Sequence, residues 1–179
     1  MEQVIRATEL SISLKGLVLP SGLRMAEGDV SFDTPILGVR PFSIPEGTLC
    51  HATLTFLEED VQAYIEKKRP ANLSDFRVSA KNGEITILAV ARLLLPVEVG
   101  AVGVLEFSDG KLNFVPRRIE AGGVNAKSIA RPHLERINPL VDLTGLPLRA
   151  DVQSLDIGGG AIRISGRLET TAAIPRLAP

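Results

Sequence analysis

Asn-Gly and Asp-Gly, each set between two runs of alternating apolar and polar residues, constrain this chain more than any other feature. Both residues of such a dipeptide reach positive φ at low cost, as a two-residue hairpin turn requires. Phe76 to Ile87 carries Asn82-Gly83, and Val104 to Phe114 carries Asp109-Gly110. Leu155 to Ile164 repeats the pattern more loosely around Gly158-Gly159-Gly160. Strand, tight turn, strand therefore recurs three times, and the chain is expected to fold mainly as antiparallel hairpins.

Period-two alternation extends the pattern toward the N-terminus. Leu10, Ile12 and Leu14 share one pleat face, with Ser11, Ser13 and Lys15 on the other, which predicts a half-buried strand. Val30 and Phe32 continue after the break at Pro20-Ser21-Gly22. Pro35, Pro41 and Pro45 make residues 33 to 47 an irregular or edge segment. Thr48 to Thr55 alternates again, with Cys50, Ala52 and Leu54 on one face.

Two helices interrupt the strands. Thr55-Phe56-Leu57-Glu58 has the spacing of a capping box, and a helix is expected to start there. Glu58, Glu59 and Asp60 at its start, and Lys67, Lys68 and Arg69 before Pro70, complement the helix dipole. Leu57, Val61, Tyr64, Ile65 and Lys68 form one stripe. A shorter helix is expected over residues 126 to 138, with Ile129, Ala130, Leu134 and Ile137 roughly on one side and Pro139 ending it; Pro132 suits a first turn and kinks a longer helix. The fold class is thus α+β, in one domain over residues 1 to 179, with an irregular tail from about 169.

Composition narrows the function classes. Twenty Lys and Arg nearly balance 21 Asp and Glu, so no net field draws the chain to nucleic acid. The single cysteine, Cys50, excludes an internal disulfide and reads as a buried small side chain. Met1 to Arg6 has no leader pattern, and the run Leu93 to Val97 falls far short of a membrane span, so the chain as written reads as soluble and cytoplasmic.

Catalytic and metal-binding patterns are missing from the sequence. It has no G-x-S-x-G elbow, Walker A loop or H-E-x-x-H, and His51 and His133 have no ligand spacing. The glycines at 158 to 160 are followed by strand residues rather than a helix, which fits a hairpin tip and not a phosphate cradle. Glu58, Glu59 and Asp60 fan around a helical turn toward water instead of converging. Neither enzymatic activity nor a cofactor is expected.

Aliphatic excess is the signal that asks for a function. From Ile85 to Gly103 the sequence is nearly continuous in apolar residues, interrupted by Thr86, Arg92, Pro96 and Glu98, and in Val90, Ala91, Leu93, Leu94 and Leu95 both pleat faces are apolar. Such a strand is covered on both sides or faces a ligand. Two readings stay open: a fully packed interior, and a helix and sheet standing apart to line an apolar groove.

The order of elements resembles the bacterial LmeA-like phospholipid-binding family, which is similar to the tubular lipid-binding, or TULIP, proteins. The likeness is carried by Leu54 to Val61, by Val104 to Pro116, by Leu143 to Val152 and by the closing hairpin Ile157 to Gly166. The resemblance implies a curved antiparallel sheet wrapped around a helix, with an apolar, lipid-accommodating interior and no catalytic residues. Members are typically exported or membrane-anchored, which implies an extracytoplasmic or membrane-associated location if a leader has been removed.

On this reading a phospholipid or other acyl-chain amphiphile is bound in a cleft, and transfer is an extension of the same expectation. Val61, Tyr64 and Ile65 are expected to face Leu88, Val90, Leu93 and Leu95 across it, while Ile129, Leu134 and Ile137 close one end. Lys67, Lys68, Arg117 and Arg118 are the candidates for anionic headgroup contact at a membrane surface. The alternative is a structural or interaction module, with a packed core and strand edges that pair with a partner or a second copy.

Overall fold

We describe a computed structural model of the chain over residues 4–33, 35–39, 42–68, 72–92, 95–126 and 133–172. The three hairpins form where the turn dipeptides place them. They join β7 (Leu73–Lys81) to β8 (Glu84–Arg92), β9 (Pro96–Ser108) to β10 (Lys111–Ala121), and β13 (Leu148–Gly158) to β14 (Ala161–Thr170). Asn82 and Gly83 take φ of 54° and 80°, and Asp109 and Gly110 take 50° and 74°. Gly159 and Gly160, at 60° and 78°, make the third turn of the same kind.

These hairpins are distributed over two antiparallel sheets. One has the order β13-β14-β6-β3-β2, with β2 (Glu9–Val18), β3 (Arg24–Asp33) and β6 (Leu49–Leu57). The other runs β11-β10-β9-β8-β7, with β11 (Val124–Asn125) at one edge and β12 (Val141–Asp142) pairing with β10. Short strands β4 (Ile36–Val39) and β5 (Phe42–Ser43) of the proline-rich segment form a third, small sheet with β1 (Val4–Arg6). The class is α+β and mainly antiparallel, as expected.

Each large sheet bends at a bulge that faces a glycine. The β9/β10 register shifts between Pro116 and Arg118, opposite Gly103, and the β13/β14 register shifts between Val152 and Ser154, opposite Gly166. A Cβ on Gly103 would clash with the Val115 carbonyl oxygen and lie 2.7 Å from Pro116 Cα. One on Gly166 would clash with the Asp151 carbonyl oxygen. Glycine is needed here for room rather than for its φ, and the bulges increase the local twist.

The long helix among the described residues, α1 (Glu58–Lys68), packs mainly on β7 and also touches β3 and β6. It begins at Glu58 rather than at Thr55, because Thr55 is paired on both sides within β6, with Arg163 and with Glu27. Glu58 therefore does not close a capping box. Its amide donates to the Gly160 carbonyl (3.0 Å) and its carboxylate accepts from the Ala80 amide (3.1 Å), while the Gly160 amide donates to the Ala80 carbonyl (3.1 Å). The Gly83 amide adds a bond to the Ile157 carbonyl (2.8 Å), so hairpin tips from both sheets meet at the start of α1.

Asp60 corrects another expectation. It is buried rather than turned to water, and its Oδ1 accepts from Arg24 Nη1 at 2.9 Å, which ties α1 to β3. The strand carrying Leu10, Ile12 and Leu14 is also more open than predicted. β2 is an edge strand, and Ile12, Leu14, Leu17 and Val18 are exposed. Cys50 is buried as expected, and burial pushes its thiol pKa up. β14 continues to Thr170, whose hydroxyl accepts from the Thr48 amide and donates to the Pro45 carbonyl.

For the second helix, the described helical residues are 133–137. Ala126 is not helical: its amide donates to the Ile119 carbonyl and extends the β10–β11 ladder. Asn138 follows the helix, and its side-chain amide pairs with both the amide and the carbonyl of Phe114, each at 2.9 Å. One core cluster runs through the molecule, including Phe56 and Ile162 of one sheet, Ile85 and Phe114 of the other, and Val61 and Ile65 of α1.

Candidate functional site

A cavity of about 240 Å³ lies between α1, helical residues 133–137 and the concave face of β7 to β10. Its walls are built from the sheet register. Ile87 faces Ala101, Ala89 faces Val99, and Ala91 faces Val97 across β8 and β9; Ile119 and Ala121 of β10 continue the surface. Ile65 of α1 and Leu134 and Ile137 of the second helix close the other side. Space remains because Ala89, Ala91, Ala101, Ala121 and Ala126 place single methyl groups where larger aliphatic side chains would meet.

Two polar residues, Asn72 and His133, border this otherwise apolar space. Both lie on its open side, together with the partly exposed Leu73, Val97, Ala121 and Leu134. Two apolar side chains stand in solvent beside that opening. Leu95, two residues before Val97, is 75% exposed, and Val124, paired with Ala121, is 68% exposed. Among the described residues, no group of three or more His, Cys, Asp or Glu side chains converges on a common point.

The expected cleft residues divide into several groups. Ile65, Leu134 and Ile137 line the cavity. Val61 and Tyr64 are buried in the core beside it. Leu88 and Val90 lie on the opposite pleat face from Ile87, Ala89 and Ala91, which replace them in the wall. Leu95 stands outside the wall, in solvent. Leu93 and Ile129 lie outside the described residues.

The four basic candidates do not form one cluster. Lys67 and Lys68 sit in the last turn of α1, and Lys68 Nζ lies 5.0 Å from the Tyr64 ring centroid. Arg117 pairs with Glu84 at 3.7 Å, beside the β7–β8 turn and at the other end of α1, and Arg118 pairs with Glu120 at 3.6 Å. An eleven-residue helix separates the two groups by roughly 16 Å.

Sequence reading missed most of the wall: Phe76, Ile87, Ala89, Ala91, Val99 and Ala101. Alanines on one pleat face, 89 and 91 on β8 with 101 on β9 and 121 on β10, are the available signal. Small side chains clustered on one pleat face leave volume that a core of Leu and Ile would fill.

Tyr64 braces the helical side of the site. Its hydroxyl lies 3.1 Å from both the Ile137 and Pro139 carbonyl oxygens and donates to this pair. Tyr64→Phe is expected to cost about 1–2 kcal/mol, read as a lower urea midpoint. Burial raises the phenol pKa above its ordinary 10.0, so the folded state holds that proton more tightly than the unfolded chain. The contribution is complete below pH 10 and is lost as pH rises through the raised value. The stability gap between wild type and Tyr64→Phe should therefore narrow in strong alkali, and a gap that widens would contradict this role.

No curated protein and no solved structure matches the chain. A family model does match, the LmeA-like phospholipid-binding model, over residues 6–167. That span takes in α1, every residue of the cavity wall and both large sheets except the end of β14, and the chain belongs to the LmeA-like phospholipid-binding family, whose common property is lipid binding.

Proposed function

We propose that the protein binds one acyl chain of a phospholipid or similar amphiphile in the cavity between α1 and β7 to β10, without catalysing a reaction. The observation that carries this reading is the cavity itself, whose wall is apolar apart from Asn72 and His133 at the opening. At about 30 Å³ for a small group in a condensed phase, its 240 Å³ has room for about eight methylenes. Burying that many at roughly 0.8 kcal/mol each gives about 6 kcal/mol. A Kd on the order of tens of micromolar follows. Because methylenes supply the affinity, chain length should matter more than headgroup.

Exposed Leu95 and Val124 beside the opening suit contact with a lipid surface during uptake or transfer. Lys67 and Lys68 remain the candidates for headgroup contact, whereas Arg117 and Arg118 are engaged with Glu84 and Glu120. A second reading, pairing of two copies through β2, is favoured by the exposed apolar residues of that edge strand. Solvent extraction of the purified protein followed by mass spectrometry should recover acyl lipid, and a fluorescent fatty acid should bind at one per chain. Protein that yields no lipid, binds no fatty acid and elutes as a dimer would overturn the first reading in favour of the second.

A further inference from the structure

His133 combines three properties that the binding of a bare hydrocarbon chain leaves unused. It borders the cavity, as does Asn72. Its Nδ1 is shielded from water, and that nitrogen has no hydrogen-bond partner. As the ring stands Nδ1 faces protein atoms rather than the accessible space, and a turn about Cβ–Cγ, which no hydrogen bond to Nδ1 opposes, brings it toward the cavity. A shielded and unpaired ring nitrogen is costly, and native structures keep few such groups. In an apolar site that opens beside it, the natural relief is an oxygen that arrives with the ligand. The polar end of an amphiphile reaches this position when its chain fills the alanine-lined interior.

We infer that the His133 ring hydrogen-bonds the oxygen at the polar end of the chain, so that the site selects chains ending in an oxygen acceptor over plain hydrocarbon. The inference rests on the acyl-chain reading above. Nδ1–H serves as donor to a carboxylate or an ester carbonyl, and Asn72, which also lines the cavity, carries a side-chain amide as a second donor. His133 thereby sets how deep the chain enters and which end stays at the opening.

Decanoate, methyl decanoate and decane separate the contributions. All three should bind wild type, the first two more tightly. His133→Leu should weaken decanoate and methyl decanoate by about tenfold and leave decane unchanged. Its apo form should melt no lower than wild type, because the unpaired nitrogen is gone. His133→Gln, which keeps an N–H donor, should retain most of the affinity. In wild type, the ¹⁵N shifts of the His133 ring should move with decanoate and stay still with decane; this readout needs no variant. A loss limited to decanoate would identify the partner as a free carboxylate, and a loss shared with the ester identifies the carbonyl oxygen. Equal losses on all three ligands, or no loss and no ¹⁵N shift, overturn the role of His133 while the cavity reading stands. Failure of wild type to bind any of the three overturns both.

Discussion

Ala89→Phe is expected to lower the affinity for a fluorescent fatty acid by at least about tenfold while leaving the melting temperature unchanged or raised. Ala89 is 4% exposed, sits midway along β8 opposite Val99, and forms part of the cavity wall. A benzyl group at this position has empty space in front of it, so the usual cost of overpacking does not apply, and filling a cavity commonly adds stability. The ligand pays instead. Losing room for two methylenes removes roughly 1.6 kcal/mol at 0.8 kcal/mol each. That is slightly more than one factor of ten, and a ring would displace more. Val90→Phe is the control, because position 90 lies on the opposite pleat face. An Ala89→Phe protein that is folded and binds normally would move the acyl chain to another surface of the molecule.

Gly103→Ala should be the most damaging methyl addition in the chain. The new Cβ would meet the backbone of the bulge, at the Val115 carbonyl and Pro116 Cα, and neither can swing aside as a side-chain end can. Relief requires β9 and β10 to separate at the point where the sheet bends, with loss of ladder hydrogen bonds on both sides. We expect a loss of about 3 kcal/mol or more, seen as a large fall in urea midpoint or as failure to fold. Gly100→Ala, three residues earlier on β9, meets only Leu88 Cδ2 at 3.1 Å, the flexible end of a side chain. It should cost no more than about 1 kcal/mol. Similar midpoints for the two variants would show that the bulge is not what makes glycine necessary at 103.

The two substitutions differ in how readily the sequence discloses their sites. Gly103 looks like any glycine within an apolar run, and only the register of β10 shows that a backbone crosses it. Ala89 alternates with Leu88 and Val90 in a strand whose two faces are equally apolar, so alternation cannot say which face turns inward. For this reason Leu88 and Val90, expected at a cleft, lie on the pleat face away from the cavity. The sequence predicts a solvated first turn for Glu58 and Asp60, because charge near a helix start is usually exposed. Their partners, Arg24 and the Ala80 amide, are 36 and 22 residues away in the chain. The unpaired nitrogen of His133 likewise has no sequence correlate, since it depends on what fails to approach it.

By itself the sequence determined the elements whose causes lie within a few residues. These are the three hairpin turns with positive φ, the α1 segment with acids first and lysines last, the buried Cys50, and the likeness to a lipid-binding family. Tertiary structure alone decided the inward face of β8, the opposition of bulges to Gly103 and Gly166, the exposure of β2 as an edge, and the alanine-lined cavity with His133 at its opening. The division follows from range. Turn geometry and helix-end electrostatics act between near neighbours, whereas a pleat face, a sheet edge or an empty volume is defined by which distant strands pack against it.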